Sequence, residues 1–175
     1  MILPRLIPLD LTALALRRVY IQSKNLDRES APLEYAAKVR LCTQAKREDL
    51  VEWERRARNI YRTRGLRTTQ AILPYFKEWY ERVDGYINFH STQIISGHGC
   101  FKDYLHKRKR ADSPLCEHCG NEPNTAQHTL ESCSAWEQER AELRDVLERR
   151  TGLSLPLIIA TIIGDRTKWR ALVYH

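Results

Sequence analysis

Cys116, Cys119, His128 and Cys133 follow one another as C-x2-C-x8-H-x4-C. Thiolate and imidazole are ligands that zinc prefers, and four of them close a tetrahedral shell. The C-x2-C turn lets two thiolates converge on one ion, and Gly120 relieves the backbone just after it. His128 and Cys133 complete a Cys3His set. Five residues along a helix turn through about 500°, leaving the second side chain about 140° from the first. His128 and Cys133 therefore do not meet one ion from an unbroken helix. The spacing predicts His128 near the C-terminal end of a helical turn and Cys133 on the loop after it. His118 competes with His128, but its place between two ligands points it to solvent. Four protein ligands leave no open position for water, so the expected ion is a single structural Zn2+ on which the local fold depends. The bland alternative is a set of ordinary buried thiols and a surface histidine.

No other constellation asks for chemistry. Two-metal catalysis needs closely grouped carboxylates. The adjacent pair Glu48-Asp49 lies in a highly charged helix and reads as a solvated face. Neither a Walker A nor a GxGxxG pattern occurs. Cys100 near His98 lacks an orienting partner. Gly97 to Phe101 reads instead as a tight turn between packed helices, with Cys100 a small buried hydrophobe. The expectation is a chain without a catalytic centre.

The formal net charge is +7 in 175 residues, and the isoelectric point is near 9.3. An excess of this size suits a nucleic-acid or other anionic partner. It gathers in two places. Residues 55–67 hold six arginines (Arg55, Arg56, Arg58, Arg62, Arg64 and Arg67) and no acid. Lys107, Arg108, Lys109 and Arg110 form a second run, six residues before Cys116. Arginine suits bidentate phosphate contact. These ten cations are the candidate nucleic-acid-binding residues. The alternatives are a solvated helix face for the first group, a solvated linker for the second, and a core role for Trp136, which follows Cys133 by three residues.

The elements that must carry these residues read as mostly α, an irregular helical domain with a small embedded zinc knuckle. Apolar residues make up 42% and charged residues 29%, which excludes wholesale disorder. A short helix is expected from Asp10 to Ile21, then a loop from Lys24 to Ser30. A long helix follows from Pro32 to about Tyr61, with Leu50, Trp53, Ala57, Ile60 and Tyr61 on one stripe. Gly65 and Thr68-Thr69 read as a stop and restart, and Pro74 fits a first turn. Further helices are expected at Tyr86–Ile95 and Phe101–His106. Ser134 and Glu137 have capping-box spacing before another helix. Residues 152–163 read as strand or helix, and Asp165–Val173 as a last helix. The expected divisions are an N-terminal helical segment at 1–67, a helical linker at 68–113, the knuckle at 114–135 and a C-terminal helical segment at 136–175. No run reaches the roughly 20 apolar residues of a membrane span, and no secretory leader is read. Five cysteines, three of them clustered, fit metal binding in a reducing compartment, so a nuclear or cytoplasmic location is expected and a membrane partner is not.

A family resemblance adds to this reading. Residues 85–106, Gly85-Tyr86-Ile87-Asn88-Phe89-His90 through Leu105-His106, resemble the region before the zinc knuckle in reverse transcriptases of non-LTR retrotransposons. Ser113-Pro114-Leu115-Cys116 through Trp136 resembles the C-terminal CCHC motif of the same polyproteins. Thr63-Arg64-Gly65-Leu66-Arg67 through Trp79 fits their helical linker. The resemblance covers about residues 63–140. It implies one zinc on Cys116, Cys119, His128 and Cys133. It also implies RNA or DNA as partner, together with the polyprotein's upstream reverse transcriptase domain. The full polyprotein is an RNA-directed DNA polymerase, and its YxDD-type carboxylates have no counterpart here. Two alternatives stand beside a nucleic-acid-binding fragment. One is a zinc-stabilised scaffold docking to the polymerase core; the other is a non-functional element remnant.

Overall fold

The computed structural model describes residues 7–29, 35–60, 65–82, 86–148 and 152–174. The chain divides into two compact units, Pro4–Arg62 and a larger one built on Thr63–His175.

The smaller unit pairs α1 (Leu9–Glu29) with α2 (Tyr35–Ile60). The pairing is antiparallel, because Asp10 meets Arg56 at one level and Arg18 meets Asp49 at another. On α1 the buried residues include Leu11 and Ala15. On α2 they are Ala45, Asp49, Trp53 and Ala57, a row with a step of four that lies along one helix face. The expected loop at Lys24–Ser30 is helical as far as Glu29. That stretch has no glycine or proline to break a helix, and Lys24, Asn25 and Leu26 are exposed. The second helix runs unbroken. Asp49 is buried, not solvated, and its carboxylate accepts from Arg18 Nη2 at 2.8 Å.

The larger unit begins with α3 (Leu66–Ile72), a 3-10 turn over Leu73–Tyr75 and α4 (Phe76–Glu81). Pro74 opens the turn as expected, since its missing N–H is one that a helix start leaves unpaired anyway. Thr68 and Thr69 do not interrupt α3; both are buried in it, and Thr68 Oγ1 donates to the Ile95 carbonyl at 3.2 Å. Next comes α5 (Phe89–Ser96), three residues later than the periodicity suggests. The start is set by Asn88, whose side chain accepts the Ser91 N–H at 2.8 Å. The helix ends at Gly97, where φ is 71°. A Cβ there would sit 3.1 Å from Arg67 Cδ, so glycine serves both the turn and the passage of Arg67.

After α6 (Lys102–Lys107) comes the cysteine-rich segment, then α7 (Ala126–Glu131), a 3-10 turn over Ser134–Trp136 and α8 (Glu137–Val146). The Ser134–Glu137 capping box does not form. Cys133 precedes the 3-10 turn, and the Glu137 carboxylate accepts from Arg140 and Arg144 instead. Two helices close the unit, α9 (Leu155–Ile162) and α10 (Arg166–Tyr174). Leu155, Ile158, Ile159 and Ile162 are fully buried at helical spacing, which settles the strand-or-helix ambiguity. Each contributes roughly 2 kcal/mol of burial before entropy is counted. Helix α9 packs against α3 and α10. Trp79 and Trp169 meet with ring centres 5.5 Å apart, and the Arg82 guanidinium lies 4.0 Å over Trp79. Among the described residues there is no strand, only an isolated bridge between Leu115 and Pro123, and no helix is long and apolar enough to cross a membrane.

Candidate metal centre

The segment between α6 and α7 is a turn that its own backbone holds shut. Cys116 N–H donates to the Glu122 carbonyl at 2.8 Å, and Asn124 N–H to the Pro114 carbonyl at 2.8 Å. Gly120 closes the C-x2-C loop with φ of 71°, its N–H reaching the Cys116 carbonyl at 2.8 Å. Thr125 caps α7 by accepting the His128 N–H at 3.0 Å. His128 is the third residue of that six-residue helix and belongs to its last turn, as expected. Cys133 lies on the loop beyond, as expected. Its N–H folds back to the His128 carbonyl at 2.9 Å, a wide turn that undoes the 140° offset of an unbroken helix.

The result is convergence. The donor atoms of Cys116, Cys119, His128 and Cys133 all lie within 4.8 Å of one another. The Sγ atoms of Cys116 and Cys133 are 3.8 Å apart, and Cys119 Sγ is 3.3 Å from His128 Nε2. Thiolates bound about 2.3 Å from a tetrahedral zinc stand about 3.8 Å apart, so the spacing fits the ion. A disulfide would need about 2.05 Å, and none of the cysteines is so bonded. Cys116, His128 and Cys133 are buried, and Cys119 is half-buried.

The surroundings favour the thiolate form at two of the three sulfurs. Burial pushes the Cys116 thiol up. The N–H groups of Cys119 and His118, the Asn124 amide and the His128 ring outweigh that and hold it at about 6. N–H groups of Asn121 and Glu122 lower Cys119. Burial and the neighbouring sulfurs raise Cys133. Three sulfurs this close cannot all carry charge unaided, and a divalent cation among them would remove that conflict. The donor set thus fits one zinc, with no vacant position for substrate water.

Beyond the ligands, buried Arg140 on α8 donates through Nη1 to the carbonyls of Cys133 and Thr129. It ties the last ligand's loop to the helical body. His118 is exposed, as its place between ligands suggests, and its ring meets Trp136 edge-on with centres 5.1 Å apart. Trp136 is half-buried rather than core.

No family model matches the chain, and no solved structure matches it. Over 56 residues it is 43% identical to the "Retrovirus-related Pol polyprotein from type-1 retrotransposable element R1" of Popillia japonica. That stretch resembles part of a retrotransposon polyprotein. It is 31% of this chain and 22% of that protein, so the chain spans under a quarter of its relative. The likeness is to a retrotransposon Pol polyprotein over that stretch alone.

The candidate nucleic-acid contacts fall in both units. In the smaller one, Arg55 and Arg56 hold Glu52 at 2.7 and 2.9 Å, Arg56 also pairs with Asp10, and Arg58 pairs with Glu54. In the larger one, Arg67 is half-buried and bonds the Ile94 carbonyl and Gln127 Oε1, knitting α3, α5 and α7 together. Arg62 and Arg64 lie outside the described residues. Lys107, Arg108, Lys109 and Arg110 are all exposed. Lys107 pairs with Asp103, and Arg108 lies 5.4 Å over the Tyr104 ring, which itself stacks on His98. Cys100 is exposed, not the buried hydrophobe that the turn suggests. The sequence reading missed Glu122, Asn124, Ser132 and Arg140 around the metal site. None of them has a spacing that announces its role.

Proposed function

We propose that this chain is the zinc-stabilised, nucleic-acid-binding part of a retrotransposon Pol polyprotein. The convergence of Cys116, Cys119, His128 and Cys133 carries the reading. In support stand the net charge of +7 and the likeness to a Pol polyprotein. A zinc ion bound there supplies no reaction chemistry; it crosslinks a short segment and adds to the backbone hydrogen bonds that close it. The basic turn at Lys107–Arg110 and the rings of His118 and Trp136 then contact element RNA or target DNA, by phosphate pairing and base stacking. In the parent polyprotein this part positions template and target for the upstream reverse transcriptase domain.

A second reading has an observation of its own. Arg55, Arg56 and Arg58 are paired with acids, and Arg67 is spent on carbonyl and amide oxygens. That favours a protein-interaction scaffold docking to the polymerase core. Titration of single-stranded RNA into zinc-loaded chain at several salt concentrations separates the two. Phosphate contact by three or four cations gives a log–log slope of about −2 to −3. A slope near zero removes the nucleic-acid reading and leaves the scaffold.

A further inference from the structure

Resting on the zinc reading above, we infer that Glu122 is the positioning residue of the metal centre, an outer-sphere carboxylate that sets which histidine nitrogen meets the ion. Glu122 touches three of the four ligands, Cys119 through its backbone N–H. Its backbone carbonyl accepts the Cys116 N–H at 2.8 Å, and its side-chain Oε2 lies 2.8 Å from His128 Nδ1. Ser132 completes the contact: its hydroxyl donates to the same Oε2 at 3.1 Å and stands 3.1 Å from Nδ1. On the far side of the ring, Nε2 faces Cys119 Sγ at 3.3 Å.

An ionised carboxylate only accepts, so the ring nitrogen beside it must carry the proton. Nδ1–H then donates to Glu122, and Nε2 presents its lone pair to the metal. Without Glu122 only the Ser132 hydroxyl is left beside Nδ1 to hold that tautomer, and each wrong one must be converted before the ion is held. Carboxylates placed this way orient a histidine and make its other nitrogen a better donor, and losing one typically costs 10- to 100-fold in metal affinity. The Glu122 side chain is 57% exposed, which puts its share toward the lower end of that range. Because the same residue braces Cys116 and Cys119 through its backbone, a side-chain substitution removes one link and keeps the other two.

The test uses the full chain, with zinc affinity measured by competition against a chromophoric chelator and the His128 ring nitrogens read by 15N NMR. Wild type is expected to bind one zinc with the proton on Nδ1. Glu122→Ala is expected to bind roughly tenfold more weakly and, before zinc is added, to show a mixture of tautomers. Glu122→Gln keeps an acceptor oxygen, so it should restore the tautomer and most of the affinity. Ser132→Ala should give a smaller loss in the same direction, and serves if Glu122→Ala fails to fold. Wild-type affinity in Glu122→Ala, or a weakened variant whose ring keeps the proton on Nδ1, overturns the positioning role alone. A wild-type chain that takes up no zinc overturns the metal reading and this inference with it.

Discussion

The Sγ atoms of Cys116 and Cys133 lie 3.8 Å apart across 17 residues of chain. That is the edge of a zinc tetrahedron and almost twice a disulfide bond. The full chain is therefore expected to bind one zinc per molecule. Chelation should strip amide-exchange protection from Cys116, Gly120 and Asn124, while the α1–α2 pair keeps its own. Replacing Cys116 and Cys133 together by serine should reproduce the chelated state. Unchanged protection at those three amides after metal removal would show that something else holds the turn.

The smaller unit should weaken in acid in a defined window. Arg55 and Arg56 hold the Glu52 carboxyl at about 2, well below its ordinary 4.5. As pH falls, the unfolded chain takes up this proton before the folded one does. The contribution of Glu52 is thus complete above about 4.5 and lost progressively as pH approaches 2. Melting of α1–α2 followed between pH 6 and 2 should show the decline, and Glu52→Gln should flatten it. The pairs are exposed, so added salt should shrink the effect.

Arg18 and Asp49 should not be equivalent. Their side chains are 45% and 4% exposed, respectively. Arg18→Ala strands a buried carboxylate and is expected to cost roughly 2–3 kcal/mol in urea unfolding. Asp49→Asn leaves an arginine that water can reach and should cost less. Equal losses in the two variants would mean that the pair acts only through its contact.

Lys109 occupies a glycine's position. Its φ is 57°, and the turn around it is the C-cap of α6, with Arg110 N–H reaching the Leu105 carbonyl at 2.8 Å and Lys109 N–H the His106 carbonyl at 2.9 Å. A side chain there costs backbone energy that glycine avoids. Lys109→Gly is expected to raise thermal stability by roughly 0.5–1 kcal/mol. On the nucleic-acid reading it should also lower RNA affinity and reduce the salt slope by about 0.7. A variant that gains stability with no change in RNA affinity would assign the turn to structure alone.

Much of this molecule is written in short-range spacing. The ligand set needs only an 18-residue window, because a turn, a capped helix and a loop suffice to gather four donors. The same is true of the turn opened by Pro74 and the wide-stepped buried row of α2, where local geometry alone chooses the buried face. Polarity was a poorer guide. Lys24–Glu29 is helical because it holds no glycine or proline to break a helix.

What the sequence determined by itself was a mostly helical chain with one Cys3His cluster, since both follow from period and spacing. Only tertiary packing decided what each charge is for. Asp49 is buried because Arg18, 31 residues away, arrives beside it. Arg67 joins α3 to α5 and α7 because Ile94 and Gln127 take its donors. Arg140 braces the last ligand, and Glu122 faces the imidazole. A charged side chain carries no mark of its partner along the chain. Its role is set by whichever group the fold delivers within hydrogen-bond reach, and that depends on long-range contacts which no local pattern records.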